Sequence, residues 1–99
     1  MDICFTWDAA KAASNLIKHR VSFEIAARAF ADPFAIAVQD RVENGEDRWQ
    51  TLGMVEGFLL LLVAHTVQDG DSGDEVIRII SARRADAKER KYYEQNRTF

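Results

Sequence analysis

Ile3, Phe5 and Trp7 recur at every second position, which predicts a short opening strand. The period then lengthens. Asp8 stands where a helix N-cap belongs, and Ala9, Ala12, Ala13 and Leu16 form an apolar stripe that predicts a helix to about His19. Lys11, Asn15 and Lys18 are expected on its solvent side. Ser22 predicts a second N-cap, with Val21 and Ala26 as a small hydrophobic staple. Phe23, Ala26, Ala27 and Phe30 follow at i, i+3, i+4 and i+7, so a helix of about ten residues is expected, ended by Asp32-Pro33 because proline disfavours helix at the residue before it.

From Phe34 the pattern becomes that of strands. Phe34 to Gln39 is mostly apolar, Asp40 to Asp47 reads as a polar loop containing Asn44-Gly45, and Arg48 to Val55 is the next strand. Glu56-Gly57 predicts a two-residue hairpin turn, and Phe58 to Thr66 a long apolar strand covered on both faces. An acidic turn, Asp69 to Glu75, leads to a last strand, Val76 to Ala82. Strict alternation there puts Arg78, Ile80 and Ala82 on one face and Ile77, Ile79 and Ser81 on the other. Asp86 with Glu89 three residues on predicts a capping box for a final helix to about Gln95. The fold class is therefore α+β, one domain over 1–99, with a largely antiparallel sheet, two N-terminal helices and one C-terminal helix in the order β-α-α-β-β-β-β-α.

Composition supplies one core and no more: 99 residues, 47% apolar and 29% charged. The longest apolar run, Phe58 to Ala64, is far short of the roughly 20 residues that a membrane-spanning helix requires. No signal-like segment opens the chain, and a single cysteine, Cys4, excludes an intramolecular disulfide, so a reducing cytoplasm is the expected compartment. The net charge of −3 argues against indiscriminate nucleic-acid binding. Its distribution changes that picture. Residues 41–75 hold Arg41 and Arg48 against eight acids. Residues 76–99 reverse the balance, with Arg78, Arg83, Arg84, Lys88, Arg90, Lys91 and Arg97 against Asp86, Glu89 and Glu94.

There is no glycine-rich phosphate loop and no nucleophile elbow. Asp69 to Asp74 departs from a calcium loop at Gly73 and Ile80, and His19, His65 and one cysteine make no zinc spacing, so neither metal nor cofactor is expected. His65, after the apolar run, reads as a strand-end or interface residue. The positive candidates are Lys18, His19, Arg48, Arg78, Arg83 and Arg84, with Tyr92 or Tyr93 as a hydroxyl or stacking ring and Lys88 as a further cation. This set suits metal-free RNA cleavage. Attack of a ribose 2′-hydroxyl on the adjacent phosphate needs a base, an acid for the leaving oxygen, and cations where charge grows. For each arginine taken alone, a surface salt bridge is the competing reading.

Several blocks together resemble the BrnT family of type II toxins. Phe5-Thr6-Trp7-Asp8 with Lys11, Asn15 and Lys18-His19, then Val21-Ser22-Phe23-Glu24 with Ala26, is similar to that family's opening. Phe30-Ala31-Asp32-Pro33 continues the likeness. So do Glu46-Asp47-Arg48-Trp49 with Gly53, and Arg78-Ile79-Ile80-Ser81-Ala82-Arg83 with Ala85, Glu89-Arg90 and Tyr93-Glu94. The resemblance implies a RelE-like fold, a ribonuclease that blocks translation, and neutralisation by a BrnA-type ribbon-helix-helix antitoxin that carries the DNA-binding module. It implies Lys18, His19, Arg48, Arg78 and Arg83 as the cleaving and phosphate-binding set, with Arg84 as an addition, while Lys88 and Tyr92 are expected from the basic final segment as further RNA contacts. Arg78 and Arg83 would stabilise phosphate charge and His19 or Lys18 would transfer protons. Two departures are expected to bear on activity, Arg20 where the family usually has Gly and Ile25 where it usually has a second Glu. So is the acidic 69–75 turn. The rival reading is a toxin-fold binding module and co-repressor with weak catalysis. A stand-alone DNA-binding protein is disfavoured by the lack of a helix-turn-helix pattern.

Overall fold

The computed structural model describes residues 2–97, so Met1, Thr98 and Phe99 of the expected 1–99 domain lie outside the described residues. β1 (Ile3–Trp7) leads into α1 (Ala9–His19), capped by the Asp8 carboxylate, which accepts from the Lys11 N–H at 3.0 Å. α2 (Phe23–Ala27) is capped by Ser22 and continues as a 3-10 turn over Arg28–Ala31. The ten-residue helix expected here is thus one α turn tightened into a 3-10 turn. Its Ala29 lies on Gly53, where an added Cβ would meet the Ala29 carbonyl oxygen at 2.3 Å. Only glycine lets these two backbones approach so closely.

β2 (Ile36–Glu43), β3 (Glu46–Val55), β4 (Leu59–Asp69) and β5 (Glu75–Arg84) form an antiparallel meander, and β1 joins it parallel to β5, giving the order β1-β5-β4-β3-β2. The polar loop expected over Asp40 to Asp47 is instead ladder up to Glu43↔Glu46, closed by Asn44-Gly45 alone, both at positive φ. This ribbon is solvated on both faces, so its sequence shows no apolar alternation. Glu56 and Gly57 turn at positive φ, but the turn has three residues where two were expected, because Val55 pairs with Leu59 and leaves Phe58 exposed at the hairpin tip. β4 and β5 also run on to Asp69 and Arg84, shortening the acidic turn to 70–74. α3 (Ala87–Gln95) opens with the reciprocal Asp86–Glu89 capping box.

The sheet is covered on one face by α1 and α2 and on part of the other by α3. Phe23, Ala26, Ala29, Leu61, Val63, Ile77 and Ile79 build the first core, and Leu52, Leu60, Leu62 and Tyr93 the second. α1 departs from the amphipathic expectation: Asn15 is buried, whereas Leu16 and Ile17 are 49% and 80% exposed. β1 ends at Trp7, so the upper half of β5 has an open edge, and the Asn15 amide fills it. Its nitrogen donates to the carbonyls of Val21 and Ala82, each at 2.9 Å, and its oxygen accepts from the Ala82 N–H at 3.1 Å. Buried backbone groups demand partners, and that demand sets the roll of the helix.

Candidate functional site

The face that α3 covers is apolar only beneath the helix. Beyond it the rows turn polar. Arg41 pairs with Arg48, and Thr66 with Arg78, which in turn lies beside Thr6. The β3–β4 register, Trp49↔His65 and onward, sets Arg48 opposite Thr66 one step further along. Arg41, Arg48, Thr66, Arg78 and Thr6 therefore form one row across all five strands, about 5 Å between neighbours. The next row carries Glu43, Glu46 and Gln68. Arg78 donates to Glu46 at 2.6 Å, as does Gln68 to the other carboxylate oxygen at 3.1 Å, while Glu43 lies 3.2 Å from Arg41 and 3.9 Å from Arg48. Arg48 is only 17% exposed, and its Nε and the hydroxyl of the 2%-exposed Thr66 are buried without hydrogen-bond partners.

Arg83 points to the same face as Arg78, opposite Leu62, and this is not what alternation predicts for positions an odd number apart. β5 carries an extra residue where Ser81 pairs with Ala64 but Ile79 pairs with His65. The bulge shifts the phase. It also moves Ala82 to the face of Ile77 and Ile79, correcting the grouping of Ala82 with Arg78 and Ile80. The Arg83 guanidinium is held by Glu89 through two bonds of 2.9 Å each. This pairing keeps the Arg83 pKa above its usual value and, through the same hydrogen bond, lowers that of Glu89. Glu89 is also the carboxylate of the capping box, so Arg83 fastens the start of α3 to β5.

The remaining candidates are dispersed. Lys18 and His19 line a shallow groove at the open edge of β5 with Ile80 and Ser81, on the α1 side. Arg84, opposite Leu61, faces the first core and borders a groove with Leu16, Arg20, Ile25 and Phe58. Lys88 is exposed on α3. Tyr92, half exposed, lines a cleft with Ile36, Val38, Gln50 and Glu89, and Gln50 is the β3 neighbour of Arg48 on the same face. Tyr93 is buried, and its hydroxyl donates to Asp32 at 2.5 Å. Burial and that bond push its pKa up to about 12. Burial acts to raise the Asp32 pKa, but the Tyr93 hydroxyl, the Met54 and Phe34 N–H groups and nearby Arg97 outweigh it and hold the carboxyl below its usual value. His65, expected at a strand end, is a mid-strand core residue on the opposite face. It lies 2.8 Å from Thr51 Oγ1, has the Phe30 ring edge-on at 4.8 Å, and burial lowers its pKa.

Sequence reasoning missed Thr66 and Arg41. The signal that finds them is cross-strand register, which no local window contains. Among the described residues no group of three or more His, Cys, Asp or Glu converges as metal ligands, and no helix is long and apolar enough to cross a membrane.

The architecture is that of a small α+β domain with a five-stranded sheet. It is similar to the crystal structure of the Brucella abortus ribonuclease toxin, BrnT, with a TM-score of 0.64 and 19% identity over 87% of this chain and 99% of that one. Residues 7–89 match the family described as "Ribonuclease toxin, BrnT, of type II toxin-antitoxin system". The chain belongs to the BrnT family of ribonuclease toxins. No curated protein sequence matches it.

Proposed function

We propose that the chain is a metal-independent endoribonuclease whose RNA crosses the open sheet face, and that this cleavage inhibits translation. The observation that carries the reading is the row of Arg41, Arg48 and Arg78 on one unroofed face. Guanidinium groups are permanently charged, planar donors suited to the non-bridging oxygens of a phosphodiester. In the proposed reaction the ribose 2′-oxygen bonds to phosphorus as the 5′-oxygen leaves, giving a 2′,3′-cyclic phosphate. The 2′-hydroxyl proton passes to a base, and the leaving oxygen takes a proton from an acid. Arg48 and Arg78 meet the charge that builds on phosphorus-bound oxygen. His19 and Lys18 sit along the β5 edge, and they handle protons only if the RNA strand wraps that edge. Tyr92 and Lys88 on α3 flank the strand beyond Gln50, whereas Arg84 contributes from the other face or not at all.

The antitoxin of this system is proposed to be of the BrnA type, a ribbon-helix-helix protein that neutralises the toxin in the cytoplasm and alone contacts DNA. An alternative is favoured by one observation. Both Arg78 and Arg83 are already paired with carboxylates of their own chain, as in a domain kept for partner binding. Cleavage of a defined RNA in excess chelator, by the parent, Arg48→Ala, Arg78→Ala and His19→Ala proteins, separates the two. Cyclic-phosphate ends from the parent, and loss of at least about 100-fold in both arginine variants, support the nuclease. An intact His19→Ala enzyme removes that residue from the chemistry. A folded, antitoxin-free parent that cleaves no RNA, with or without ribosomes, supports the binding module.

A further inference from the structure

Two polar atoms in the arginine row are buried without a hydrogen-bond partner, and they occupy neighbouring strands: Arg48 Nε and Thr66 Oγ1. Interiors seldom leave such groups unpaired, and an unpaired one is a standing cost to the fold. The two have the same need. Each is a donor lacking an acceptor, and across one strand gap their side chains sit within about 5.5 Å at Cβ. On the other flank of Thr66 stands Arg78, whose Nη2 donates to Glu46 at 2.6 Å. An anion with several oxygens can accept from Arg48 Nε, the Thr66 hydroxyl and the Arg78 guanidinium together and match their positive charge, whereas a water molecule, with two lone pairs and no charge, can serve only the two unpaired donors.

We propose that Thr66 is a phosphate-binding residue. Its hydroxyl, Arg48 Nε and the Arg78 guanidinium form a clamp for one phosphodiester of the RNA, and the Glu46 carboxylate holds the place of that phosphate until RNA displaces it. The inference rests on the reading that RNA lies on this face, and it adds both a ligand and a gate. Thr66 lies between the two arginines, so the phosphate reaches the hydroxyl once the Arg78–Glu46 pair opens. Gln68, which also donates to Glu46, gives the released carboxylate a partner in its own row. Thr6 and Arg41 end the row, and they mark the direction in which the backbone of the RNA runs across the strands.

The test uses a 2′-O-methyl RNA oligonucleotide, which binds but lacks the attacking hydroxyl, with affinity read by fluorescence anisotropy and folding by urea denaturation. Thr66→Val removes an unpartnered buried hydroxyl at nearly constant volume. It is expected to unfold at the same or a higher urea concentration than the parent while binding about 10- to 100-fold more weakly, the loss of one hydrogen bond to a charged group. Thr66→Ser is expected to restore affinity to within about 2-fold. Glu46→Gln is expected to bind more tightly than the parent, with a shallower dependence on salt, because phosphate no longer competes with a carboxylate. Parental affinity in Thr66→Val, or weaker binding by Glu46→Gln, overturns the clamp, and the RNA reading survives if Arg78→Ala binds poorly in the same experiment. A parent and an Arg78→Ala variant that bind alike overturn both.

Discussion

Arg78 and Arg83 lie five positions apart on one strand and point to the same side of the sheet, because an extra residue in β5 between them resets the alternation. Their surroundings divide their work. Arg78 stands in the open row, held by one carboxylate that also serves Gln68. Arg83 is gripped by both oxygens of Glu89 at the root of α3. The two variants are therefore expected to fail differently. Arg78→Ala loses RNA binding with an unchanged urea midpoint. Arg83→Ala weakens the anchoring of α3, and because the Arg83–Glu89 pair is partly solvated, a double-mutant cycle on it should return about 0.5–1 kcal/mol of coupling. An Arg83→Ala protein of full stability that cannot cleave RNA would move Arg83 into the reaction itself.

Asn15 substitutes for a missing strand. Replacing it by Leu leaves the N–H and carbonyl of Ala82 and the carbonyl of Val21 buried without partners. A loss of about 3 kcal/mol is expected from equilibrium unfolding, several times that of an exposed α1 substitution such as Ser14→Ala. Hydrogen exchange should show the damage first at the upper half of β5.

Stability should depend on pH at both ends through Asp32 and Tyr93. The Asp32 pKa is lowered on folding, so its contribution is complete above about pH 5 and is lost as the pH falls through the folded value. Tyr93 is raised to about 12, so its contribution is complete below the usual value of 10.0 and is lost between there and about 12. Tyr93→Phe is expected to cost about 1–2 kcal/mol at neutral pH and to flatten the alkaline slope, measured as the urea midpoint against pH. A persisting alkaline slope in that variant would assign it to another group.

Arg20 ends α1 in the left-handed conformation, at φ 60°, with its N–H on the Leu16 carbonyl. A side chain there strains the backbone, and glycine relieves it. Arg20→Gly is expected to stabilise the fold by about 1 kcal/mol, read as a higher melting temperature. Against the expectation drawn from the family pattern, RNA cleavage should be unchanged, since Arg20 lies away from the arginine row, in the groove with Leu16 and Ile17.

The sequence by itself determined the kinds of element and their order, because the signals are local: Asp8, Ser22 and Asp86 as caps, Glu56-Gly57 and Asn44-Gly45 as turns, and alternation in the apolar strands. Three ordered blocks of residues also sufficed to point to the family whose description matches residues 7–89. The tertiary structure decided everything that depends on which strand lies beside which. The polar β2–β3 ribbon is paired although nothing in it is buried deeply enough to leave a pattern. α1 is rolled with Ile17 outward because the edge of β5 demanded an amide, a need set by a residue 67 positions away. The candidate site follows the same division. Arg78 was legible as a residue type in a basic segment and Arg48 through the family resemblance, but Arg41 stood in an acidic segment and Thr66 at the end of an apolar run, and only register sets Thr66 between Arg48 and Arg78. Periodicity reports how one segment meets its surroundings, whereas a row across a sheet is made from five segments whose alignment is fixed by long-range hydrogen bonding.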